Sequence, residues 1–409
     1  MSSSVTFDPP FYPPKLNPLL TRICQSISYP IVYCVYQVEL AIAPADIEVL
    51  KAIEEERIVF LPNHPTLDDG VVLFLLSTRL GQLFHYIVAY EAFKGLQGKF
   101  LQRIGAYSIR RGLGDRPSIV QTLKLLQEPA CRLVIFPEGG CSYQNDTVMP
   151  FRSGAVELAL KAMNRLAQHE TTVPNFYLVP VSLKYRYTSS MNSVIERTLS
   201  RLEEALNIDP AVSDFYQRLR VIAEQVLLNL EREYGIEKNL TTEKDWNQRI
   251  EQLKNRVLDE CEQKLKLTSA VHLPMRERIY KIQSILESRS EKLSEEEETY
   301  DALYQTTVRL LNFDAIYDGY VASAPTPERF MDTLIRFERE VFQIEHPRPK
   351  GHRKAHLSIG KPINLKDYFH RYKQNREATI ESLTEQLQQT VQTNLDLLNV
   401  SHFCKLNQQ

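Results

Sequence analysis

Between residue 44 and about residue 190 short apolar runs alternate with segments of helical spacing, the rhythm of an α/β domain. Arg57-Ile58-Val59-Phe60-Leu61 reads as a buried strand, as do His85 to Ala89, Arg132 to Phe136 and Phe176 to Leu183. Gly70 to Leu80, Ser118 to Leu126 and Gly154 to Met163 carry helical spacing. After about residue 190 apolar positions recur every three or four residues, as in Ile195, Leu199, Leu202 and Leu206, and again in Phe215, Leu219, Ile222 and Val226. Trp246, Ile250, Leu253 and Val257 continue the pattern, as do Phe330, Leu334, Phe337 and Val341. Strand texture returns at His356 to Ile363, and an amphipathic helix follows from about Arg376 to Leu398. The predicted fold is α/β, a mixed central sheet flanked by helices, with amphipathic helices at the amino end and a large helix-rich insertion. Its expected divisions are 1–43 (membrane-associating helices), 44–190 (α/β domain), 191–350 (insertion) and 351–409 (closing strand and last helix). No internal repeat stands out.

Residues 17–43 place Leu19, Ile23 and Ile27 at helical spacing, pass Pro30, and continue through Ile31-Val32-Tyr33-Cys34-Val35-Tyr36. The apolar run is far short of the roughly 20 residues that a spanning helix needs, so two short helices lying in one leaflet are expected.

Net charge is −2, with 24% charged residues, which removes any global electrostatic argument for nucleic acid. The six cysteines are far apart and show no metal-ligand spacing, which fits a reducing compartment. No signal peptide is read at the amino end.

The chemistry gathers at Leu61-Pro62-Asn63-His64-Pro65-Thr66-Leu67-Asp68-Asp69-Gly70, where a strand gives way to a helix. Strand ends are where α/β domains expose reactive groups. Imidazole titrates near neutral pH, so His64 can accept a proton from a hydroxyl. Asp69, five residues on, can fold back to hold its tautomer. Asp68 reads as a helix-start residue. A second loop, Val134-Ile135-Phe136-Pro137-Glu138-Gly139-Gly140, runs from a strand into a glycine-bearing turn where backbone can approach a ligand. Gly105-Ala106-Tyr107-Ser108-Ile109-Arg110-Arg111-Gly112 offers two arginines suited to phosphate. Val179-Pro180-Val181 interrupts a strand with proline.

In order, these four segments resemble the glycerolipid acyltransferase family, the group containing lysophosphatidate and glycerol-3-phosphate acyltransferases. Asn63, His64, Thr66 and Asp69 match its first block, with four residues between His and Asp. Gly105 and Arg111 match the second, with Ser108 in place of an aromatic. Phe136 to Gly139 match the third in full, and Pro180 matches the fourth. The likeness covers about residues 45–190 and extends to Ile359-Gly360-Lys361-Pro362-Ile363.

The resemblance implies O-acyl transfer from a thioester, acyl-CoA or acyl-carrier protein, to the hydroxyl of a lysophosphatidate-like lipid acceptor. His64 and Asp69 would be catalytic, no covalent intermediate would form, and no cofactor or metal would be bound. Glu138 and Gly139 would shape the acceptor site. Where many relatives carry an arginine after Glu-Gly, this chain has Cys141, so Arg110, Arg111 or Arg152 is expected to supply positive charge. The setting implied is the cytoplasmic face of a membrane, with peripheral or monotopic attachment. Two other readings fit the same residues: a catalytically silent membrane-binding relative whose insertion is a protein-interaction arm, and a metal-dependent hydrolase using His64, Asp68 and Asp69. Cys141 as a nucleophile has no partner base in the sequence.

Overall fold

The computed structural model describes residues 11–112, 114–169, 172–209, 213–236, 245–268, 273–290 and 297–406. They fall into two compact units, one of residues 11–110, 114–188 and 352–409, the other chiefly residues 189–351.

The first unit is α/β. It begins with α1 (Pro18–Ile31), a π-helical turn (Val32–Tyr36) and β1 (Val38–Ile42). There follow α2 (Pro44–Lys51), β2 (Arg57–Pro62), α3 (Asp69–Leu80), β3 (His85–Ala89), α4 (Gly95–Arg103) and β4 (Ala106–Ile109). Next come α5 (Arg116–Leu125), β5 (Arg132–Val134), α6 (Gly154–His169) and β6 (Phe176–Tyr187). After the second unit, β7 (Arg353–Ile359), β8 (Ile363–Asn364), α13 (Phe369–Gln374) and α14 (Arg376–Leu406) complete it. The sheet runs β1-β7-β6-β2-β5-β3-β4, with β8 beside β6. β2 through β6 are mutually parallel, while β7 and β8 run antiparallel to β6.

Successive strand residues alternate between two buried cores. Val59, Leu61 and Leu133 face the core closed by α6 and α14, where Leu383, Leu387, Val391 and Leu395 lie. Ile58, Phe60 and Val134 face the core closed by α2 and α3. Burial on both faces explains the unbroken apolar run of β2. The sheet is thus mixed and flanked by helices, as the sequence pattern predicts. Two strands escape that pattern: β1, expected as a continuing helix, and β4, expected as loop. Both are short outer strands of four or five residues.

β6 extends beyond its neighbour, since Pro62 is paired with Val181 and β2 stops there. Two asparagine side chains continue the ladder. Asn63 accepts from the Leu183 N–H (2.7 Å) and donates to its carbonyl (3.0 Å). Asn145 does the same for Tyr185, at 2.7 Å each way. A primary amide presents the same donor and acceptor pair as a peptide group, so each side chain stands in for a strand residue.

α1 wears its amphipathic pattern inside out. Thr21, Gln25 and Ser28 are buried, and the Gln25 amide donates to Ser77 Oγ (3.0 Å) and the Gln82 carbonyl (2.8 Å). Leu19, Ile23 and Ile27 point to solvent, 73%, 52% and 47% exposed. Tyr33 and Val35 in the following turn are exposed as well.

The second unit is helical: α7 (Asn192–Leu206), α8 (Phe215–Glu233), α9 (Trp246–Lys264), α10 (Met275–Ser290), α11 (Glu297–Phe313) and α12 (Pro327–Phe342). One junction recurs three times, roughly 30 residues apart. A helix ends on a left-handed residue, Asn207, Gly235 or Lys266. The next residue's N–H returns to the carbonyl of Glu203, Glu231 or Glu262, at 2.8–2.9 Å. That glutamate's carboxylate receives a two-pronged bond from an arginine in the first turns of the following helix: Arg218, Arg249 or Arg278. A second carboxylate, Glu196, Glu224 or Asp259, completes each clasp. The repeat is present in the sequence around each glutamate, as Leu199, Leu202, Leu206 and Ile208, as Leu227, Leu230, Tyr234 and Ile236, and as Leu258, Cys261, Leu265 and Leu267, which corrects the expectation of no internal repeat.

Candidate active site

The parallel strands bring His64, after β2, and Glu138, after β5, to the same edge of the sheet, since β2 and β5 are neighbours running the same way. The His64 Nδ1 lies 2.7 Å from Asp69 Oδ2. Asp69 is the first residue of α3 and fully buried. Its Oδ2 also accepts the Thr66 N–H (3.0 Å), and its Oδ1 accepts the Thr66 hydroxyl (2.9 Å) and the Tyr185 hydroxyl (2.6 Å). Four donors around one buried carboxylate satisfy its lone pairs. Burial, followed by the charge of Asp69, pushes the Tyr185 phenol well above its ordinary range, so it stays protonated and donates. With Asp69 Oδ2 accepting, the imidazole proton sits on Nδ1 and Nε2 is left as the basic nitrogen; among the described residues Nε2 has no hydrogen-bond partner.

The backbone of His64 is clamped as firmly as its ring. Its N–H donates to buried Glu138 (2.9 Å), its carbonyl accepts the Ser142 N–H (2.8 Å), and its ring stacks on Phe136 at 4.2 Å between centroids. Gly139 adopts φ +73°, and a Cβ there would come within 2.8 Å of the Arg152 guanidinium. The positive φ calls for glycine, and a side chain there would displace the Arg152 guanidinium. The Arg152 N–H bonds the Pro137 carbonyl at 2.9 Å, so this arginine belongs to the same loop cluster as His64 and Glu138.

The other two arginines are placed differently. Arg110 follows β4, whose place three strands from β2 puts it about 14 Å along the sheet edge. Its backbone N–H bonds Asp115, the residue that caps α5. Arg111 falls with the helical unit, its guanidinium 4.5 Å above the Tyr280 ring and 3.2 Å from that hydroxyl. Asp68 does stand at the start of α3, but its carboxylate bonds Arg353 (2.8 Å) rather than the helix amides. Arg353 in turn lies 5.0 Å over the Tyr185 ring. Tyr185, Arg353 and Asn145 are the contributors that sequence reasoning missed. Tyr185 is unmarked within an apolar strand, and Arg353 stands almost three hundred residues from its partner.

A buried, fully bonded carboxylate fixing an imidazole whose side chain is 18% exposed, at a strand end, can serve as a general base. Residues 45–184 match the family model described as Acyltransferase. No curated protein matches the chain. The matched segment runs from α2 into β6 and carries His64, Asp69, Arg110, Arg111, Glu138, Gly139 and Arg152; Tyr185 and Arg353 lie outside it. The match supports acyl transfer to a lipid-type acceptor. Among the described residues no group of three or more His, Cys, Asp and Glu side chains is placed to hold a metal. Asp68, which the metal-hydrolase reading would use as a ligand, is paired with Arg353. No described helix is long and apolar enough to cross a membrane.

Proposed function

We propose that the chain transfers a fatty acyl group from acyl-CoA or acyl-carrier protein to the hydroxyl of a lysophosphatidate-like acceptor at a membrane surface. The observation that carries the reading is the 2.7 Å contact between His64 and a buried, four-times-bonded Asp69. His64 Nε2 takes the hydroxyl proton as the acceptor oxygen bonds to the thioester carbonyl carbon. The tetrahedral intermediate collapses with cleavage of the C–S bond, and the imidazolium returns the proton to the departing thiolate. A thioester is already activated, so no acyl-enzyme is required. Glu138 acts through the His64 backbone, and Arg152, packed on Gly139, supplies positive charge for the acceptor phosphate. The outward apolar face of α1 rests in one leaflet, with Tyr33 at headgroup depth.

The test is a mass-spectrometric transfer assay pairing both donor types with lysophosphatidate, glycerol 3-phosphate and uncharged lysolipids. Wild type should form acyl ester, and His64→Ala should lose about a hundredfold or more. Activity indifferent to His64→Ala, or no ester with any pairing, would sink the reading.

A further inference from the structure

Within the helical unit, α8, α9, α11 and α12 enclose a cavity of about 130 Å³ that opens to the surface. Leu219, Ala223 and Val226 of α8, Leu253 and Val257 of α9 and Leu310 of α11 are among the residues that make its wall apolar. Lys254 is a buried cation in that wall. Lys254 is only 8% exposed, and its Nζ donates to the Asp314 carbonyl at 2.9 Å, its one hydrogen-bond partner among the described residues. The Asp314 carboxylate is bound to Arg276 at 2.7 Å. The other cations of the wall already have carboxylates, Arg220 with Asp318 and Arg309 with Glu233 and Glu340.

An ammonium has three N–H donors, so Lys254 keeps two to offer. Burying such a group without an anionic partner is costly, and burial lowers its pKa, with the charges of Asp314 and Glu251 opposing. An apolar cavity of this size has room for about six carbons, and its opening lets a somewhat longer chain continue outward. A carboxylate at the end of an alkyl chain answers both features: its head completes Lys254 and its tail fills the space between α8 and α9. We propose that this cavity is a second lipid site, separate from the His64 centre, that binds a medium-chain fatty carboxylate with its head on Lys254.

Octanoate, titrated calorimetrically into the full chain, should bind at least tenfold more tightly than 1-octanol, which has the same chain without the charge. Lys254→Met should bring octanoate down to the level of the alcohol, and Ala223→Trp should abolish binding of both. A diazirine-bearing octanoate should label wild-type peptides of α8 and α9, and equally so in His64→Ala. The wild-type labelling reads the site even where a variant fails to fold. Absence of octanoate binding, equal affinity for the alcohol, undiminished binding in Lys254→Met, or labelling confined to the acyltransferase segment would each overturn the proposal.

Discussion

Replacing Asp69 by asparagine keeps the shape of the side chain and reverses half of its hydrogen bonding. The carboxylate accepts from four donors, two on each oxygen. If the amide nitrogen faces His64, it donates to Nδ1 and drives the imidazole proton to Nε2, where the acceptor hydroxyl has to be deprotonated. It also confronts the Thr66 N–H. If the amide turns over, Nδ1 keeps its proton, but the nitrogen faces the Thr66 and Tyr185 hydroxyls and leaves the buried Tyr185 proton without the acceptor that Oδ1 supplies, so the first orientation sets the expected loss. Holding a catalytic histidine in the wrong tautomer costs about 10⁴-fold in the best-known triad, so a loss of about 10³- to 10⁴-fold in kcat is expected. That corresponds to about 4 to 5 kcal/mol in the barrier. The stability penalty is smaller, about 1–3 kcal/mol for a buried donor left unsatisfied. The assay is steady-state transfer by mass spectrometry beside thermal unfolding. Retention of activity within tenfold of wild type in a folded Asp69→Asn protein would refute the tautomer argument.

Tyr185→Phe removes one of the four bonds but leaves the ring packed, so it should cost about 1.5–3 kcal/mol of stability in chemical denaturation. Its kcat should fall far less than that of Asp69→Asn. Arg152→Ala should raise KM for a phosphate-bearing acceptor about tenfold or more and leave an uncharged lysolipid unaffected, as measured by initial rates. Ile23→Glu with Ile27→Glu should weaken binding to phospholipid vesicles by about 100-fold or more in flotation, from the loss of two buried side chains at about 1.5–3 kcal/mol each. Burial depresses the His85 pKa, although its bond to the Gly105 carbonyl opposes this. The unfolded chain therefore takes up this proton first as pH falls. The stability contributed by neutral His85 is complete above about pH 6.5 and is lost as pH drops through the folded value. His85→Gln should flatten that part of the stability profile, measured by urea unfolding from pH 5 to 8.

The sequence told most where side-chain type and chain neighbourhood coincide. β2, α3 and the five-residue step from His64 to Asp69 are local features, so apolar runs and spacing were enough to find the dyad. Glu138 and Gly139 were legible through Phe-Pro-Glu-Gly, although the role of Glu138 as an acceptor for the His64 N–H depends on β2 and β5 being neighbours. Tyr185 and Arg353 were out of reach, because the sheet register that delivers them links segments far apart in the chain. α1 was read as an amphipathic helix with its apolar side turned to a leaflet, an orientation that spacing alone leaves open. Leu19, Ile23 and Ile27 have the same spacing whether they face a core or solvent, and only Gln25 bonded to Ser77 and Gln82 decides between the two. The Arg–Glu junctions went unseen because they hold two charged residues against a background of many others.

Those junctions carry a consequence for how the insertion tolerates change. Each is self-contained: the left-handed turn, the returning amide and the arginine fork all lie within one helix-to-helix step. Length could therefore be added or removed in whole steps, with every surviving corner keeping its own closure. Cutting out a stretch that begins and ends at equivalent corners should shorten the array cleanly, whereas a deletion of similar size ending mid-helix would strand a guanidinium in the interior.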